Sequence, residues 1–158
     1  MPKKRDNDGM DFGIRVGAVL RRRGSILLVR HEKPGAEPYW VLPGGRLEPG
    51  ETIPECAERE LLEEANLEAE FTKILHVSEF MEEGRHTVDI TVEMEIPDGQ
   101  KAVLGSDPEV PEGEAPTLIG VEWVAAADME NMDFRPVWIR ESIVGNSPSN
   151  IYLGGGRN

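Results

Sequence analysis

The stretch that decides the fold is GGRLEPGETIPECAERELLEEANL, residues 44–67. Its first part is rich in glycine and proline, which favours a loop, and the periodic part from about Thr52 to Ala65 predicts a helix. Thr52 and Glu55 have the spacing of a capping box, in which each side chain bonds a free amide of the other residue. Pro54 suits this first turn because amides there have no helical partner. The segment therefore predicts a loop that leads directly into a helix.

Three carboxylates crowd one side of this helix. With Glu60 as origin and about 100° between successive residues, Glu63 lies about 60° to one side and Glu64 about 40° to the other. Because an apolar stripe faces the core, acids that border it are predicted to lie at the rim of a cleft. The apolar arc beside them comprises Ala57, Leu61 and Ala65.

Such crowding requires a compensating positive charge. Glu60 and Glu64 are four residues apart, a spacing at which like charges on a helix repel each other. Arg59, four residues before Glu63, offsets part of this repulsion. A hard divalent cation, which prefers carboxylate oxygens, would offset the rest. A solvated acidic helix face is the alternative, and the helix alone does not distinguish the two.

The composition bounds the class of protein. The 158 residues suffice for one domain with a sizeable core. The 17 basic and 30 acidic residues give a formal charge of −13, which argues against nucleic acid or an anionic membrane as partner because both require a basic surface. Cys56 has no second cysteine to pair with, no apolar run is long enough to span a membrane, and the basic start lacks an apolar signal core. We therefore expect a cytoplasmic protein.

Outward from the helix, strands predominate. The β-rich runs 14–20 and 25–30 flank a short turn that contains glycine, which predicts a hairpin. Strands mixed with one central and one terminal helix predict an α+β layer fold. The other predicted elements are strands over 40–42, 71–81, 86–96 and 118–124, and short helices over 127–131 and 135–143.

The ends of the chain differ in composition from its centre. Residues 1–12 are polar and are expected to be flexible. Residues 13–145 are predicted to form a single domain. Residues 146–158 are a glycine-rich tail without clear periodicity.

The quoted stretch also carries a motif. Gly45, five residues, Glu51, seven residues and then RELLEEANL, residues 59–67, resembles the Nudix box, G-x5-E-x7-R-E-U-x-E-E-x-G-U, in which U is aliphatic. One defined position departs, because Asn66 stands where the family has glycine. That glycine ends the helix in a left-handed conformation, and asparagine is the next most tolerant residue there. We therefore expect the substitution to cost little stability and to leave the carboxylates in place.

This resemblance implies a fold, a cofactor and a set of site residues. The fold would be a Nudix-type α/β/α sandwich with a mixed β-sheet and a central catalytic loop-helix-loop, and the cofactor would be Mg²⁺ or Mn²⁺. Glu60 and Glu64 would be the principal metal ligands, Glu63 would complete the set, and the carbonyl of Gly44 would add an oxygen. Glu63 and Glu64 would also be catalytic, together with Arg59, which would orient the carboxylates.

Many Nudix proteins supply another acid from outside the box, as general base or extra ligand. The loop over 97–117 is rich in proline, glycine and acids and is its natural source here. Glu112 and Glu114 are the candidates, and Glu93 and Glu95 on the wet face of their strand are rivals.

Three residues are candidates for substrate binding. Arg30 and Arg46 have the charge to bind phosphate, although surface solubility explains them equally well. Trp40 offers an aromatic face on which a base could stack, with packing in the core as its alternative role. Tyr39 and the pair Phe80 and Trp138 are further aromatic candidates.

The resemblance implies a hydrolase that acts on a small-molecule nucleotide. We expect cleavage of a nucleoside diphosphate linked to another moiety, with ADP-ribose or a nucleotide sugar favoured, to give a nucleoside monophosphate and a sugar phosphate. The alternatives are a (d)NTP pyrophosphohydrolase that releases pyrophosphate, and a non-catalytic nucleotide-sensing module. Because many Nudix proteins are dimers, a homodimer also stays open.

Overall fold

A computed structural model describes residues 9–106, 117–144 and 151–157. Strands dominate these ranges, and one long helix lies between the fifth and sixth of them. The strands are β1 (Asp11–Val19), β2 (Arg21–Arg22), β3 (Ser25–Glu32), β4 (Tyr39–Val41), β5 (Gly44–Arg46), β6 (Glu70–Glu82), β7 (Arg85–Glu95), β8 (Thr117–Ala125) and β9 (Tyr152–Arg157). The helices are α1 (Ile53–Ala65), a 3₁₀ helix (Ala126–Asn131) and α2 (Val137–Val144).

The strands form two sheets. The five-stranded sheet has the order β5-β1-β7-β6-β9 and is mixed, because β1 runs parallel to β7 and β9 parallel to β6 while the other pairs are antiparallel. The second sheet is antiparallel throughout and is built on β3, which pairs with β2, β4 and β8.

Two hydrophobic cores lie on opposite faces of β3. Leu27 belongs to the core that contains Leu61 of α1. Ile26 and Leu28 belong to the other core, which contains Ile139 of α2. Since alternate residues of a strand point to opposite faces, the two helices lie on opposite sides of the sheets. The predicted α+β sandwich with a mixed sheet is confirmed.

The predicted hairpin over 14–20 and 25–30 is wrong in its pairing. Only Arg21 and Arg22 fold back on β3. The strand before them, β1, lies in the other sheet between β5 and β7. The reason is that β1 is buried on both faces towards its end, with Val16 and Ala18 in one core and Val19 in the other. Burial on both faces is typical of a strand with parallel neighbours inside a sheet, and β1 pairs in parallel with β7 and antiparallel with β5.

The ends of the domain contribute strands as well. The first strand begins at Asp11, within the segment expected to be flexible. The glycine-rich tail contributes β9, which adds to the edge of the five-stranded sheet beside β6. Within the described ranges, none of the helices has both the length and the hydropathy to cross a membrane.

A buried histidine links the two halves of the fold. His76 on β6 is 1% exposed, and its Nε2 lies 2.6 Å from the Oγ of Ser142 on α2. The Ser142 hydroxyl donates to the carbonyl of Ile139 at 2.9 Å, so the histidine is the donor in the first bond. The other ring nitrogen, Nδ1, has no hydrogen-bond partner. This imidazole is therefore neutral in the folded protein.

We expect this histidine to make the fold sensitive to acid. Burial lowers the pKa of His76 to about 4, below the ordinary value of 6.5. The unfolded chain therefore binds this proton first, and stability is lost as the pH falls from about 6.5 to about 4, by roughly 2–3 kcal/mol. Urea unfolding at pH 7 and pH 4.5 measures the loss, and His76→Gln, which does not titrate, is expected to lose less. Equal losses in the two proteins would contradict this.

Candidate active site

Helix α1 begins and ends as the box segment predicts. The Oγ1 of Thr52 accepts a hydrogen bond from the amide of Glu55 at 3.2 Å. Asn66 follows the last turn with φ 54° and ψ 35°, the left-handed conformation that the family's glycine would take. Its backbone amide donates to the carbonyls of Leu61 and Leu62. Asparagine at this position therefore leaves the helix intact.

The three clustered acids of the helix, Glu60, Glu63 and Glu64, differ in burial. Glu60 and Glu64 are 3% and 1% exposed, so they lie deeper than the predicted cleft rim. Glu63 stays partly exposed. Buried carboxylates are costly unless they are hydrogen-bonded and paired with a positive charge. The surroundings of Glu60 and Glu64 therefore decide what this site can hold.

Arg59 supplies the positive charge. Its Nε and Nη2 donate to both carboxylate oxygens of Glu51 at 2.6 and 3.1 Å, and its Nη1 donates to Glu60 at 2.8 Å and Glu63 at 3.3 Å. The hydrogen bond from Arg59 lowers the pKa of Glu51, and the hydrogen bond with Glu51 raises the pKa of Arg59. Glu51 also accepts from the amide of Glu48 at 3.0 Å, which ties down the loop. One guanidinium thus fixes the loop and two of the box acids together.

Glu64 has different partners. Its Oε1 accepts a hydrogen bond from the amide of Gly44 at 2.7 Å. Its Oε2 lies 3.8 Å from the Nε2 of His31, a buried nitrogen without a hydrogen-bond partner. In the sequence, His31 is isolated from the other histidines, His76 and His86, and shows no metal-ligand spacing. Its place on β3, opposite Tyr39, is what brings it to the helix.

Two adjacent glycines of β5 allow close contacts, Gly44 with the neighbouring strand β1 and Gly45 with helix α1. A Cβ on Gly45 would overlap the carboxylate of Glu60, and a Cβ on Gly44 would overlap the backbone of Val16 on β1. No side chain larger than hydrogen fits at either position without displacing what faces it. The glycine pair of the motif is therefore required by space. The Gly44 carbonyl stays a predicted metal ligand.

A short segment after β7 docks on the end of α1. The amides of Gly105 and Ser106 donate to the carbonyls of Glu64 and Glu63 at 2.8 and 3.0 Å. The side-chain amide of Asn66 donates to the carbonyl of Val103 at 2.8 Å, a bond that glycine at position 66 could not make. This segment, residues 103–106, satisfies carbonyls that a helix end otherwise leaves free.

The donor chemistry of the site suits a hard divalent cation, although the ligands are not preassembled. Carboxylate oxygens are the ligands that Mg²⁺ and Mn²⁺ prefer. In residues 9–106, 117–144 and 151–157, however, no three Asp, Glu, His or Cys side chains converge closely enough to hold a metal ion. Arg59 holds Glu60 and Glu63 instead, so a cation would have to share these acids with the guanidinium.

A cavity of about 550 Å³, which we call the cleft, reaches the neighbourhood of Glu64 at His31. His31 connects the two, because it lines the cleft and also lies near Glu64. The cleft walls combine cationic, aromatic and acidic side chains. They include Arg15, Lys33, Arg85 and Arg135, the aromatic residues Tyr39, Phe80 and Trp138, and the acids Glu82 and Asp89.

Arg30, Arg46 and Trp40, which are predicted to bind substrate, do not line the cleft. Arg46 pairs with Asp11 at 2.6 Å on the surface. Trp40 packs against the core that contains α2, and the guanidinium of Arg30 lies 5.6 Å from its ring centroid. The alternative roles, surface charge and packing, fit these positions better.

Sequence reasoning missed the arginines that do line the cleft. Arg15, Arg85 and Arg135 come from β1, β7 and the turn before α2, which are distant in sequence. The sheet order β1-β7 could have placed Arg15 and Arg85 together, but the predicted hairpin put β1 elsewhere. The aromatic candidates Phe80 and Trp138 do line the cleft and stack on each other there, with ring centroids 6.3 Å apart.

The additional acid is not identified among the described residues. Glu112 and Glu114 lie outside them. Glu93 and Glu95 line a different cavity, of about 830 Å³, together with Arg21–Arg23. Cys56, on the buried face of α1, belongs to the core, and burial raises the pKa of its thiol to about 12, so it packs as a small hydrophobic residue.

Comparisons with known proteins identify the family of this domain. The sequence model of the NUDIX domain matches residues 11–142. A stretch of 64 residues is 43% identical to the human 8-oxo-dGDP phosphatase NUDT18, covering 40% of this chain and 20% of that protein. A stretch of 51 residues is 47% identical to a putative 8-oxo-dGTP diphosphatase of Bacillus subtilis (strain 168), covering 32% of each chain. The matches thus span a fifth to a third of these relatives.

Solved structures show the same fold. A NUDIX hydrolase from Nitrosomonas europaea superposes with a TM-score of 0.66 at 20% identity, over 84% of this chain and 86% of that one. At this identity the likeness concerns the fold alone. Since the domain match extends over most of the chain and includes the box, the chain belongs to the Nudix hydrolase family.

Proposed function

We propose that this chain hydrolyses the pyrophosphate bond of a small-molecule nucleotide, with Mg²⁺ or Mn²⁺ as cofactor. The position of His31 carries the proposal, because this residue joins the buried carboxylate of Glu64 to the cleft. A nucleotide has an anionic half and an aromatic half. The cleft offers guanidinium groups for the first and the rings of Phe80 and Trp138 for the second.

Each residue has a part in this mechanism. Nudix hydrolases generally use divalent cations, and Glu60, Glu63 and Glu64 would hold one here. When bound, the cation neutralises diphosphate charge and makes a coordinated water more acidic. Arg59 orients Glu60 and Glu63 through its Nη1, and the Gly44 amide orients Glu64. The cleft arginines bind phosphate oxygens and keep the anion in place.

Two substrate classes are candidates. The relatives described above are an 8-oxo-dGDP phosphatase and a putative 8-oxo-dGTP diphosphatase, which favours a purine nucleoside di- or triphosphate. The sequence expectation, ADP-ribose or a nucleotide sugar, is the second candidate and rests on the run Tyr39–Gly45 and the acidic loop. Product identity separates them, because the first class releases phosphate or pyrophosphate and the second a sugar phosphate.

A substrate panel with and without metal tests the proposal. The protein is incubated with 8-oxo-dGDP, 8-oxo-dGTP, ADP-ribose and UDP-glucose in Mg²⁺ or Mn²⁺, and products are separated by anion-exchange chromatography. We expect a nucleoside monophosphate from at least one substrate and its disappearance in EDTA. Absence of cleavage with either metal would leave the non-catalytic sensing module as the better account.

A further inference from the structure

One acid in the cleft has no function so far. Asp89 on β7 lines the cleft but is only 6% exposed. In the part of the chain that the structure describes, its ion-pair partner is Arg15, whose Nη1 lies 3.9 Å from its Oδ1, which is too long for a hydrogen bond. The other terminal nitrogen of Arg15, Nη2, donates a hydrogen bond to the carbonyl of Leu42 at 2.7 Å. The carboxylate therefore lies buried without a hydrogen bond from the protein.

The sheet register places this acid next to the aromatic wall. Asp89 lies between Arg15 on β1 and Ser78 on β6, and Thr87, two residues before Asp89, lies opposite Phe80. Opposite residues share a face of the sheet, and so do residues two apart on one strand. The Asp89 row and the Phe80 row are therefore neighbours about 7 Å apart on the same face. On this face of the sheet, the carboxylate of Asp89 can contact the edge of a ring that stacks on Phe80 and Trp138.

A buried carboxyl group without hydrogen bonds is costly, and a ligand that donates to it removes this cost. Burial raises the pKa of Asp89, while Arg15 and Arg85 oppose the rise. An ionised carboxyl group accepts hydrogen bonds and donates none. A ligand that donates two hydrogen bonds to Asp89 would therefore favour its ionised form, alongside the two guanidinium groups.

We infer that Asp89 selects the base of the substrate by accepting hydrogen bonds from a guanine-type edge. Guanine presents two adjacent donors, N1–H and the N2 amino group, to which both carboxylate oxygens can bind. Adenine presents one donor beside one acceptor, and the acceptor would face a carboxylate oxygen. Such mismatches at buried polar groups discriminate strongly. The inference rests on the proposed function and names the base within its substrate class.

The experiment compares guanine and adenine nucleotides that share sugar and phosphates, dGDP against dADP and dGTP against dATP. In the wild type we expect kcat/KM to favour guanine by about 10-fold or more. In Asp89→Asn, which replaces one acceptor by a donor, we expect the guanine value to fall about 10- to 100-fold while the adenine value changes little. The ratio of the two bases is the readout, because a purely structural defect lowers both.

Glu82→Gln is the matched control. It removes a negative charge from an exposed position in the same cleft, so the preference for guanine should persist. If Asp89→Asn does not fold, Asp89→Glu, which moves the carboxylate by one methylene, gives the same comparison. Equal kcat/KM for both bases in the wild type, or an equal fall for both in the variant, would overturn the inference.

Calorimetric titration with GMP and AMP separates this inference from the proposed function. A preference for GMP that is lost in Asp89→Asn supports the inference even if the wild type hydrolyses nothing in the panel, in which case only the proposed hydrolysis fails. If the wild type hydrolyses nucleotides without preferring a base, the proposed function stands and the inference fails. Equal binding of GMP and AMP also overturns the inference.

Discussion

Glu64→Gln is expected to lower kcat by about 10³-fold or more, equivalent to about 4 kcal/mol of transition-state stabilisation. The reason is that the amide keeps the shape of the side chain but not its charge, and a hard divalent cation needs anionic oxygen. The amide oxygen can still accept the hydrogen bond from Gly44, so the fold should persist. Steady-state kinetics on the best substrate of the panel, with circular dichroism as a check on folding, measures the effect.

Glu58→Gln is the control for this change. Glu58 lies on the exposed face of the same helix, so the substitution removes one negative charge without altering the site. We expect kcat to stay within about twofold of the wild type. A Glu64→Gln protein that folds and retains comparable kcat would refute the role of Glu64 as metal ligand.

Arg59→Leu is expected to reduce the free energy of unfolding by about 3 kcal/mol and kcat by about 100-fold. The leucine covers much of the same space but leaves Glu51, Glu60 and Glu63 without the guanidinium that binds all three. An uncompensated charge at buried Glu60 dominates the cost. Urea unfolding at pH 7 in EDTA measures the stability term.

A second readout separates charge compensation from packing. If the acids of the variant lack a counter-charge, Mn²⁺ should raise its melting temperature more than that of the wild type, since binding to the folded state alone is stabilising. Arg46→Leu is the matched control, because Arg46 forms an exposed ion pair, of the kind that contributes little to stability. A loss in Arg59→Leu no larger than that of Arg46→Leu would contradict the assignment.

The box segment could be predicted from sequence because its information is local. Capping at Thr52, the helix bounds and the left-handed Asn66 all depend on residues within a few positions of each other. The close approach of Gly45 to Glu60 follows from the same stretch, since the loop and the helix are adjacent in the chain. Long strands were also predictable, because period-two alternation over 86–96 has a clear physical meaning.

The cleft could not be predicted because its information is not local. Arg15 and Asp89 meet only because β1 runs parallel to β7, and no turn residue announces a parallel pairing. The strand β9 was missed because YLGGGR lacks the β-branched and alternating residues that mark strands. The side-chain chemistry of Arg30 and Trp40 suits phosphate and base binding, but the sequence does not show which face of its strand each residue occupies.

The docking of residues 103–106 on α1 has a consequence for how the chain tolerates changes in length. The amide of Gly105 is bonded to Glu64, and a Cβ at Gly105 would overlap the carbonyl of Glu63, so spacing between Asn66 and this segment is set to one register. Insertions at the exposed turn near Gly99 would be tolerated, because they would lengthen a surface loop without moving the helix contacts. One residue inserted or deleted between Val103 and Ser106 would instead shift the bonds to the helix end. In homologues, indels should therefore occur near Gly99 and be absent between Val103 and Ser106.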